Sequence, residues 1–412
     1  MMVASCLQQS KKMNQQDPLN VLVIAKNLDI GGTQTHIRAL SKQLLRYGHK
    51  VIALSAGGNL VKNFQEDGIE HHYLIQNLNV DQLKKSRINP RSFNSALDLI
   101  NLINLVFLPL GVVQAVRIAQ HKKIHLIHSH TTLAFVVSLL TAKILGIPSV
   151  ITLHNYRGMS LSLPFIFKNT DKIIVISKEI EEKILDLDID PKKITVIPNM
   201  IEVDNTLVTE PPPLNIPNIR SESVKIVTVS RLDLYKTDVP QNLLFTAERI
   251  LNQYPKRDIQ IIIVGGGSEL AKLQTLGDQI NQRLGRQAIV FTGFRKDAIH
   301  IISHADIVLG SGRVVLEAMA LGKPTIVASA QFGGILDDKT FTQLAQYNFS
   351  GRNSTEKTST GNIYQAIITL LENNKYRSSV GKIAYQLVQT SYTADAVTTQ
   401  IQDVYRQALT SE

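Results

Sequence analysis

The sequence has very little cysteine and no tryptophan. Its 412 residues include one cysteine, Cys6, which cannot form an internal disulfide, so a reducing, cytoplasmic setting is expected. The first residues also lack the basic start and sustained apolar run of a secretion signal. Aromatic residues make up 6% of the chain and are not interleaved with basic ones, which leaves no platform for stacking nucleobases. We therefore expect no nucleic-acid partner.

The net charge of +10 favours an acidic partner of another kind, such as a nucleotide-sugar phosphate or an anionic membrane surface. The segment 99–116 has no charged residue. It follows four basic residues, Lys84, Lys85, Arg87 and Arg91. Two asparagines and a proline interrupt the segment, which disfavours a spanning helix. It is either an interfacial segment that attracts anionic lipid or a buried crossover helix.

Short β-branched runs alternate with segments of helical periodicity along the chain. A first series of runs begins at Val21, Val51, His125, Ser149 and Lys172. A second series begins at Lys225, Gln260, Ile289, Ile307 and Thr325. Continuous apolar strands separated by helices predict parallel sheets covered on both faces. The sequence therefore predicts an α/β chain with two doubly wound, Rossmann-like domains.

The predicted domains are separated by a proline-rich stretch. Residues 1–18 are polar and aperiodic and are expected to be a disordered tail. The first domain covers 19–205, and 206–222 is the predicted linker, because its three consecutive prolines cannot continue a helix or a central strand. The second domain covers 223–392. Such domains would place ligands at the carboxyl ends of their strands, in a cleft between them.

A glycine pair follows the first predicted strand. Gly31 and Gly32 carry no Cβ, so the backbone can turn tightly and approach a ligand at the start of the next helix. No third spaced glycine is present, which argues against a dinucleotide-binding fingerprint. An ordinary strand-to-helix turn is the alternative.

Two basic residues lie close together in the loop after the first predicted strand of the second domain. Arg231 and Lys236 lie in one loop after Val229. They could hold both phosphates of a nucleoside diphosphate and neutralise the charge that develops as it departs. The alternative is a solvated loop with two unrelated basic residues.

An acidic residue lies one turn into a later helix. Glu317 follows the loop Gly310-Ser311-Gly312, whose backbone amides could face an anion. The Glu317 carboxylate could accept hydrogen bonds from ribose hydroxyls, although the helix dipole alone would also favour it there. The loop Gly265-Gly266-Gly267 is a comparable place of close approach.

Three histidines fall near strand ends in the first domain. His128 and His130 would share a strand face, but no cysteine or acidic ligand accompanies them at useful spacing, which disfavours zinc. His154 is better interpreted as a neutral group that points into the cleft. The acidic triplet from Asp186 to Asp190 lacks the later residues of a calcium loop and predicts a solvated helix end. We expect no metal.

From about residue 20 to residue 409 the chain resembles the GT-B glycosyltransferases of the large retaining family 4, or group 1, type. The motifs that carry the resemblance are Gly31-Gly32 with His36, Gly48-His49, Ile127 to His130, Ile147-Pro148, Thr152 to His154, Ile176-Ser177, Val196 to Asn199, Ser230-Arg231 with Lys236, Val264 to Gly267, Phe291 to Gly293, Ala305-Asp306 and Leu316 to Pro324. The resemblance implies transfer from a UDP- or GDP-sugar with retention and without an obligatory metal. It also implies that the final helix, 393–410, packs back on the first domain.

The same resemblance implies specific roles. Arg231, Lys236 and His154 would be the catalytic residues, with the two cations on the diphosphate, Glu317 on the ribose, and Gly32 with His154 on the phosphate and donor sugar. The implied donor site comprises Gly31, Gly32, Gly265, Gly266, Gly293, Gly312, Arg313 and Glu317.

One departure from the family pattern concerns the donor sugar. The family usually has a further glutamate eight residues before the one that matches Glu317, and this chain has Leu309 there. Arg313 could supply a replacement contact. The predicted function is sugar transfer to a saccharide or lipid-linked acceptor in polysaccharide or glycolipid assembly, with peripheral contact at the inner face of a membrane. A non-catalytic nucleotide-sugar-binding protein and a nucleotide-sugar epimerase are the alternatives.

Overall fold

A computed structural model describes residues 17–74, 108–156 and 163–410. The chain divides into two units, each with its own sheet. The first unit contains the residues up to Ile176, Ile180–Asn199 and Val397–Glu412, and the second contains Ser177–Glu179 and Met200–Ala396. The four basic residues before the 99–116 segment and nearly all of the predicted tail lie outside the described residues.

The first unit is built on seven parallel strands in the order β3-β2-β1-β4-β5-β6-β7. The strands are β1 (Asn20–Ile24), β2 (Lys50–Ser55), β3 (Glu70–Tyr73), β4 (Leu126–Ser129), β5 (Ser149–Leu153), β6 (Lys172–Val175) and β7 (Ile194–Val196). The helices that connect them are α1 (Gly32–Arg46), α2 (Val61–Glu66), α3 (108–121), α4 (Thr132–Leu145), α5 (Leu163–Asn169) and α6 (Lys178–Leu185).

The second unit has six strands in the order β10-β9-β8-β11-β12-β13, and the last of them, β13, runs antiparallel to its neighbour. The strands are β8 (Val224–Val229), β9 (Ile259–Val264), β10 (Ile289–Gly293), β11 (Ile307–Gly310), β12 (Thr325–Ala328) and β13 (Phe332–Ile335). The helices of this unit are α7 (Asn205–Thr209), α8 (Asp238–Gln253), α9 (Leu270–Leu284), α10 (Ala298–Ser303), α11 (Arg313–Ala320), α12 (Phe341–Gln346), α13 (Thr360–Glu372) and α14 (Asn374–Ser391). The last helix, α15 (Ala394–Thr410), belongs to the first unit from Val397 onward.

Hydrophobic burial explains why these segments become strands and helices. All six residues of β9, and the four of β4, are buried, as expected for strands covered by helices on both faces. In α1 the buried residues Ile37, Leu40 and Leu44 recur at helical spacing. Gly48 then reverses the chain with a φ of +85°, a conformation that side chains disfavour. The predicted α/β class with two doubly wound sheets is confirmed.

The segment 206–222, which we expected to be a linker, packs against the second unit. Leu207, Leu214 and Ile216 contact an apolar cluster that includes Val227 of β8. The change of unit falls between Asn199 and Met200, several residues earlier than expected. Prolines exclude regular structure, but they do not prevent neighbouring apolar side chains from packing.

The final helix, α15, joins the core of the first unit. Residues from Val397 onward group with that unit, and Val397, Ile401 and Val404 are buried along one face of the helix. The Tyr405 ring is fully buried, and its hydroxyl lies 2.6 Å from Nδ1 of His128 on β4. The helix therefore completes the cover of the first sheet.

The described part of the 99–116 segment belongs to helix α3. Its inner side is buried against the first sheet through Val112, Ala115 and Ile118. Its outer side exposes Leu110 and Val113, each by 47%. Within the described ranges, none of the helices combines the length and apolarity needed to cross a bilayer.

Candidate active site

In each sheet, successive strands are added first to one side of the first strand and then to its other side. We call the place where the first strand meets the first strand of the second group the reversal point. In the first unit β2 and β3 lie on one side of β1, and β4 to β7 lie on the other. The crevice at the carboxyl ends of such a strand pair is the usual ligand site of a doubly wound sheet. Gly31 and Gly32 follow β1, and His130 follows β4. The glycine pair and this histidine therefore lie at the reversal point of the first sheet.

The reversal in the second unit lies between β8 and β11, which pair in parallel. The loop after β8 carries Arg231 and Lys236, and the loop after β11 leads through Gly312 to Arg313. The structure thus brings two stretches that are about eighty residues apart in sequence to one edge of the sheet. This juxtaposition follows from strand order and was not visible in either motif alone.

The glycine pair differs from the tight turn that we expected. Gly31 caps α1 with an extended backbone, φ −174°, which any residue can adopt. A Cβ added there would meet only the flexible end of the Gln34 side chain, 2.7 Å away. The fold itself therefore does not require glycine at position 31, which is consistent with a ligand approaching the start of the helix.

The loop Gly265-Gly266-Gly267 approaches the chain's own backbone. Gly265 has a φ of +155°, and a Cβ there would lie 1.8 Å from the carbonyl oxygen of Ser230. The amide of Leu232 donates to the carbonyl oxygen of Gly266 at 2.9 Å. The structure accordingly gives these glycines a packing role: they hold the loop that carries Arg231 against the end of β9.

The other two glycines of the predicted site take the left-handed conformation, with φ of +68° at Gly293 and +60° at Gly312. The carbonyl oxygen of Gly293 accepts from the amide of Gly265 at 3.0 Å. The Gly312 amide donates to the carbonyl oxygen of Phe349 at 2.8 Å. This amide is therefore engaged within the protein, contrary to our expectation that it would face an anion.

The two predicted diphosphate-binding cations are both exposed. The Arg231 side chain is 68% exposed, and its guanidinium lies 3.7 Å from a carboxylate oxygen of Asp233. Lys236 ends the short 3-10 helix Leu234–Lys236, and its amide donates to the carbonyl oxygen of Asp233 at 2.7 Å. The ion pair between Arg231 and Asp233 is weak, because both side chains are exposed and the charged atoms are 3.7 Å apart. Both side chains are exposed, and a role in binding an anion is proposed from their position and the family resemblance.

Glu317 forms an ion pair with Arg313 one helical turn away. The guanidinium Nε donates to the carboxylate at 2.8 Å, and the two side chains are 30% (Arg313) and 15% (Glu317) exposed. Burial raises the pKa of Glu317 above its ordinary value, and the charge and hydrogen bond of Arg313 oppose that rise. Arg313 therefore stabilises the carboxylate that the resemblance places on a ribose.

Leu309 does not occupy a ligand-facing position. It lies within β11, is fully buried, and belongs to the main apolar cluster of the second unit. A carboxylate there would be buried among hydrocarbon side chains at high cost. The sequence spacing suggested a missing sugar contact, whereas the structure shows a core residue.

His154 lies in a cluster of histidines at the carboxyl edge of the first sheet. Nδ1 of His130 is 3.2 Å from Nε2 of His154, and Nδ1 of His154 is 2.9 Å from the amide oxygen of Asn199. The His36 ring, on α1, lies with its centroid 5.0 Å from that of His154. We call His36, His130 and His154 the histidine cluster. Sequence spacing could not bring His36 and Asn199 to this place, because it does not reveal strand order.

The imidazoles of this region are held in the neutral form. Burial lowers the pKa of His154 to about 4, although its hydrogen bond to Asn199 acts in the opposite direction. Burial, followed by the neighbouring histidines, lowers the pKa of His130 well below the ordinary value. His128 lies behind His130 at a centroid distance of 4.1 Å and is bonded to Tyr405 and Thr152. His154 is thus expected to be a neutral hydrogen-bonding group, and its contact with a donor stays a prediction.

The acidic triplet near the end of α6 has structural partners. Asp190 accepts from the amide of Lys192 at 2.9 Å and caps a short 3-10 helix. Asp188 accepts from Lys168 at 3.0 Å. These two contacts fit the predicted solvated helix end.

Two family models match this chain, and each covers one of the two sheets. The model described as Glycosyltransferase Family 4 matches residues 30–205, and that described as Glycosyl transferases group 1 matches residues 223–373. The gpi3 subunit of the phosphatidylinositol N-acetylglucosaminyltransferase of Schizosaccharomyces pombe is 24% identical over 322 residues, 74% of this chain and 64% of the relative.

Two further relatives show a similar degree of identity. The corresponding human phosphatidylinositol N-acetylglucosaminyltransferase protein is 27% identical over 74% of this chain and 60% of its own length. The Escherichia coli UDP-Gal:alpha-D-GlcNAc-diphosphoundecaprenol alpha-1,3-galactosyltransferase is 25% identical over 53% of this chain and 61% of its own. The matches therefore span less than two thirds of these relatives.

Solved structures share the fold. A glycosyltransferase from Rickettsia africae superposes with a TM-score of 0.69 at 18% identity, over 96% of this chain and 100% of its own. HepE of Anabaena, in complex with UDP, superposes with a TM-score of 0.67 at 17% identity, over 94% of this chain and 99% of its own. At such identities the likeness shows the architecture alone.

Replacing Gly265 with alanine should destabilise the second unit by roughly 3 kcal/mol or more, because the new methyl group would overlap the Ser230 carbonyl and the backbone is strained for any side chain. Urea unfolding of the parent and the variant measures this loss. Gly31→Ala is the matched control and should cost less than about 1 kcal/mol. Equal losses in the two variants would contradict the packing role of Gly265.

Replacing Arg313 with alanine should destabilise the second unit more at pH 8 than at pH 5. Without the guanidinium, the raised pKa of Glu317 rises further. A group whose folded pKa is raised contributes its full stability below the unfolded pKa and loses it as pH rises through the folded pKa. The loss at pH 8 should be about 1–3 kcal/mol by urea unfolding. In a chain that also carries Glu317→Gln, Arg313→Ala should cost the same stability at pH 5 and pH 8. A loss that still differs between the two pH values would contradict the role of Glu317 ionisation.

Proposed function

Because the chain belongs to the family 4, group 1 type of glycosyltransferases, we propose that it transfers a sugar from a nucleoside-diphosphate sugar to an acceptor hydroxyl. One observation carries the proposal: both family matches coincide with a doubly wound sheet, and the motif residues lie at the reversal point of each. The acceptor oxygen forms a bond to the anomeric carbon, the bond from that carbon to the diphosphate breaks, and the hydroxyl proton passes to the departing diphosphate. We include retention in the proposal, so attack and departure take place on one face of the sugar.

Arg231 and Lys236 bind the diphosphate in this proposal. Negative charge grows on the leaving group as the glycosidic bond breaks, and fixed cations lower the energy of that state. Both side chains are exposed beside the reversal point of the second sheet. The close packing of Gly265 against this loop keeps the backbone of Arg231 in place before the donor binds.

Glu317 accepts hydrogen bonds from the ribose hydroxyls. An ionised carboxylate accepts such bonds more strongly than a protonated carboxyl group, and burial opposes ionisation. The ion pair with Arg313 offsets that effect. Arg313 therefore acts on the donor through Glu317 as well as through any direct contact.

His154 contacts the donor sugar, and Gly31 and Gly32 approach its phosphate. The hydrogen bond to Asn199 orients the His154 ring. The absence of a Cβ at Gly31, which the fold does not demand, supports close approach of a ligand at the start of α1.

We propose a UDP-sugar as donor and a lipid-linked saccharide or glycolipid precursor as acceptor. Two kinds of relative support this choice by name, the phosphatidylinositol N-acetylglucosaminyltransferase proteins and the galactosyltransferase that acts from UDP-Gal on a diphosphoundecaprenol-linked sugar. Assembly of a polysaccharide or glycolipid on the cytoplasmic face of a membrane fits such an acceptor.

An apolar surface on the first unit fits peripheral contact with that membrane. Helix α4 shares one apolar cluster with α3 and another with α5, so the three helices form one layer. The exposed side chains of this apolar surface are Leu110, Val113, Leu140, Ile144 and Phe165. Exposed Arg117 and Lys143 add positive charge, which is complementary to anionic headgroups.

Replacing Arg231 with alanine should lower turnover roughly a hundredfold, the usual loss when a fixed group that stabilises the transition state is removed. A screen of nucleotide sugars for thermal stabilisation first identifies the donor. Transfer is then measured for the parent, Arg231→Ala and Lys236→Ala, with Lys272→Ala, an exposed cation on α9, as the control. Donor affinity without turnover in the parent would favour a binding protein, and a changed sugar without acceptor would favour an epimerase.

The double substitution Ile144→Asp and Phe165→Asp should weaken binding to vesicles that contain phosphatidylglycerol by roughly tenfold or more, because the two exposed apolar side chains could no longer enter the interface. Flotation of vesicles with bound protein measures this. Phe245→Asp is the matched control, since Phe245 is 54% exposed on α8 of the second unit. Equal flotation of all three proteins would dismiss the membrane contact.

A further inference from the structure

The face of the first sheet that the final helix contacts carries polar residues on two adjacent strands. His128 lies in β4 and Thr152 in β5, and both are buried. His130 and His154 come two residues later along each chain segment and continue the same face, because side chains alternate between the two faces of a sheet. Apolar residues would fill this place without the cost of removing polar atoms from water. A bonded polar network instead holds its members in one arrangement.

Two hydroxyl groups bond the two ring nitrogens of His128. The Tyr405 hydroxyl lies 2.6 Å from Nδ1, and the Thr152 hydroxyl lies 2.7 Å from Nε2. Burial, with a smaller effect of His154, lowers the pKa of His128 to about 3, so the ring is neutral and carries one N–H. Burial also raises the pKa of Tyr405, which keeps its hydroxyl protonated. Because a phenol is more acidic than an aliphatic hydroxyl, Tyr405 donates to Nδ1, and Nε2–H donates to Thr152.

The His128 ring in turn supports the ring of His130. The two ring centroids are 4.1 Å apart, and the ring planes are inclined by 36°. His130 is buried and also stacks on His154, at a centroid distance of 5.5 Å. Nε2 of His130 is buried with no hydrogen-bond partner among residues 17–74, 108–156 and 163–410. The place of the His130 ring therefore depends strongly on the rings against which it packs.

His154 lies at the end of this series of contacts. The Asn199 amide oxygen can only accept, so Nδ1 of His154 donates to it at 2.9 Å and Nε2 carries a lone pair. Nδ1 of His130 donates to this lone pair at 3.2 Å. Asn199 and His130 thus fix the His154 ring through its two nitrogens, and a shift of His130 changes the direction in which His154 points. We call Tyr405, His128, His130 and His154 the ring column.

We propose that Tyr405, on the final helix, is a positioning residue for His154 and acts through His128 and His130. Its effect on turnover rests on the proposed contact between His154 and the donor sugar, whereas its effect on the three imidazole rings does not. A misplacement of about 1 Å in a positioned group can cost roughly a hundredfold in rate. A helix that is distant in sequence from the donor-site motifs therefore helps to arrange one of their side chains.

The test replaces Tyr405 with phenylalanine in the full chain, which keeps the buried ring and removes its hydroxyl. NMR of protein with isotopically labelled histidine reports which ring nitrogen carries the proton, and His128→Gln, His130→Gln and His154→Gln assign the signals. The parent should show His128 protonated at Nε2, and His130 and His154 protonated at Nδ1. In Tyr405→Phe, Nδ1 of His128 loses its partner, so the ring-nitrogen signals of all three histidines should move. Turnover with the donor found by thermal stabilisation should fall roughly tenfold.

The matched control is Tyr47→Phe, which removes another tyrosine hydroxyl that contacts the final helix. The Tyr47 hydroxyl lies 3.4 Å from Oγ1 of Thr399 on α15. This variant should leave the histidine signals and turnover as in the parent. Thr152→Val removes the second hydrogen bond of His128 and should also move the signals of His130 and His154. Thr152→Ser keeps the hydroxyl and should retain the parent signals.

Unchanged signals of His130 and His154 in folded Tyr405→Phe would overturn the proposal, as would a parent in which His128 carries its proton on Nδ1. Moved signals with unchanged turnover in an active parent would also reject the positioning role. If Tyr405→Phe does not fold, the parent spectrum and the two Thr152 variants decide the matter. A parent without turnover would count against the proposed function, and the ring-nitrogen signals would still decide whether Tyr405 positions His154.

Discussion

The handedness of parallel strand connections governs the placement of every functional group in this protein. A strand, helix and parallel strand connect in one hand almost without exception, so helices added to either side of the first strand must lie on opposite faces of the sheet. The reversal between β1 and β4, and again between β8 and β11, therefore leaves the carboxyl ends of two strands uncovered. The positions of the glycine pair, the exposed cations and the half-buried ion pair of α11 all follow from this one constraint.

The two units use different electrostatics at these edges. In the second unit the groups are charged or ionisable: two exposed cations and one half-buried carboxyl group paired with a neighbouring guanidinium. In the first unit they are neutral imidazoles, since burial lowers the pKa of each of His128, His130 and His154. Charge is thus concentrated where a diphosphate is proposed to bind, and neutral hydrogen-bonding groups lie where the donor sugar is proposed to bind.

The sequence was informative where burial is continuous. The first two β-branched runs became β1 and β2 nearly to the residue, because a strand covered on both faces must be apolar throughout. The short strands β3, β7 and β13 were not predicted. β3 carries two histidines and a glutamate in four residues, and β13 contains two glycines, so neither shows an apolar run. Such edge strands are held by their neighbours more than by their own composition.

Candidate site residues could be proposed from sequence when they belonged to one motif and not when they depended on contacts across the fold. Arg231 was proposed because it follows a predicted strand, and Glu317 because it follows the loop Gly310-Ser311-Gly312. The engagement of the Gly312 amide by Phe349, and the approach of Gly265 to Ser230, depend on distant backbone that no local pattern encodes. His36 joined the cluster for the same reason. The eight-residue spacing at Leu309 pointed to a ligand contact, yet residue 309 lies inside β11 and is buried in the core.

The final helix has a consequence for how the chain matures during synthesis. Residues from Val397 onward belong to the first unit, whose preceding segment ends at Asn199, so Met200–Ala396 of the second unit are translated in between. Until Tyr405 emerges from the ribosome, His128 and the apolar surface around it lack their cover. The second unit ends at Ala396, so all of its residues are translated before the last segment of the first unit. Nascent chains should therefore carry an incomplete first unit until elongation ends, and its uncovered apolar surface is a place where chaperones could bind.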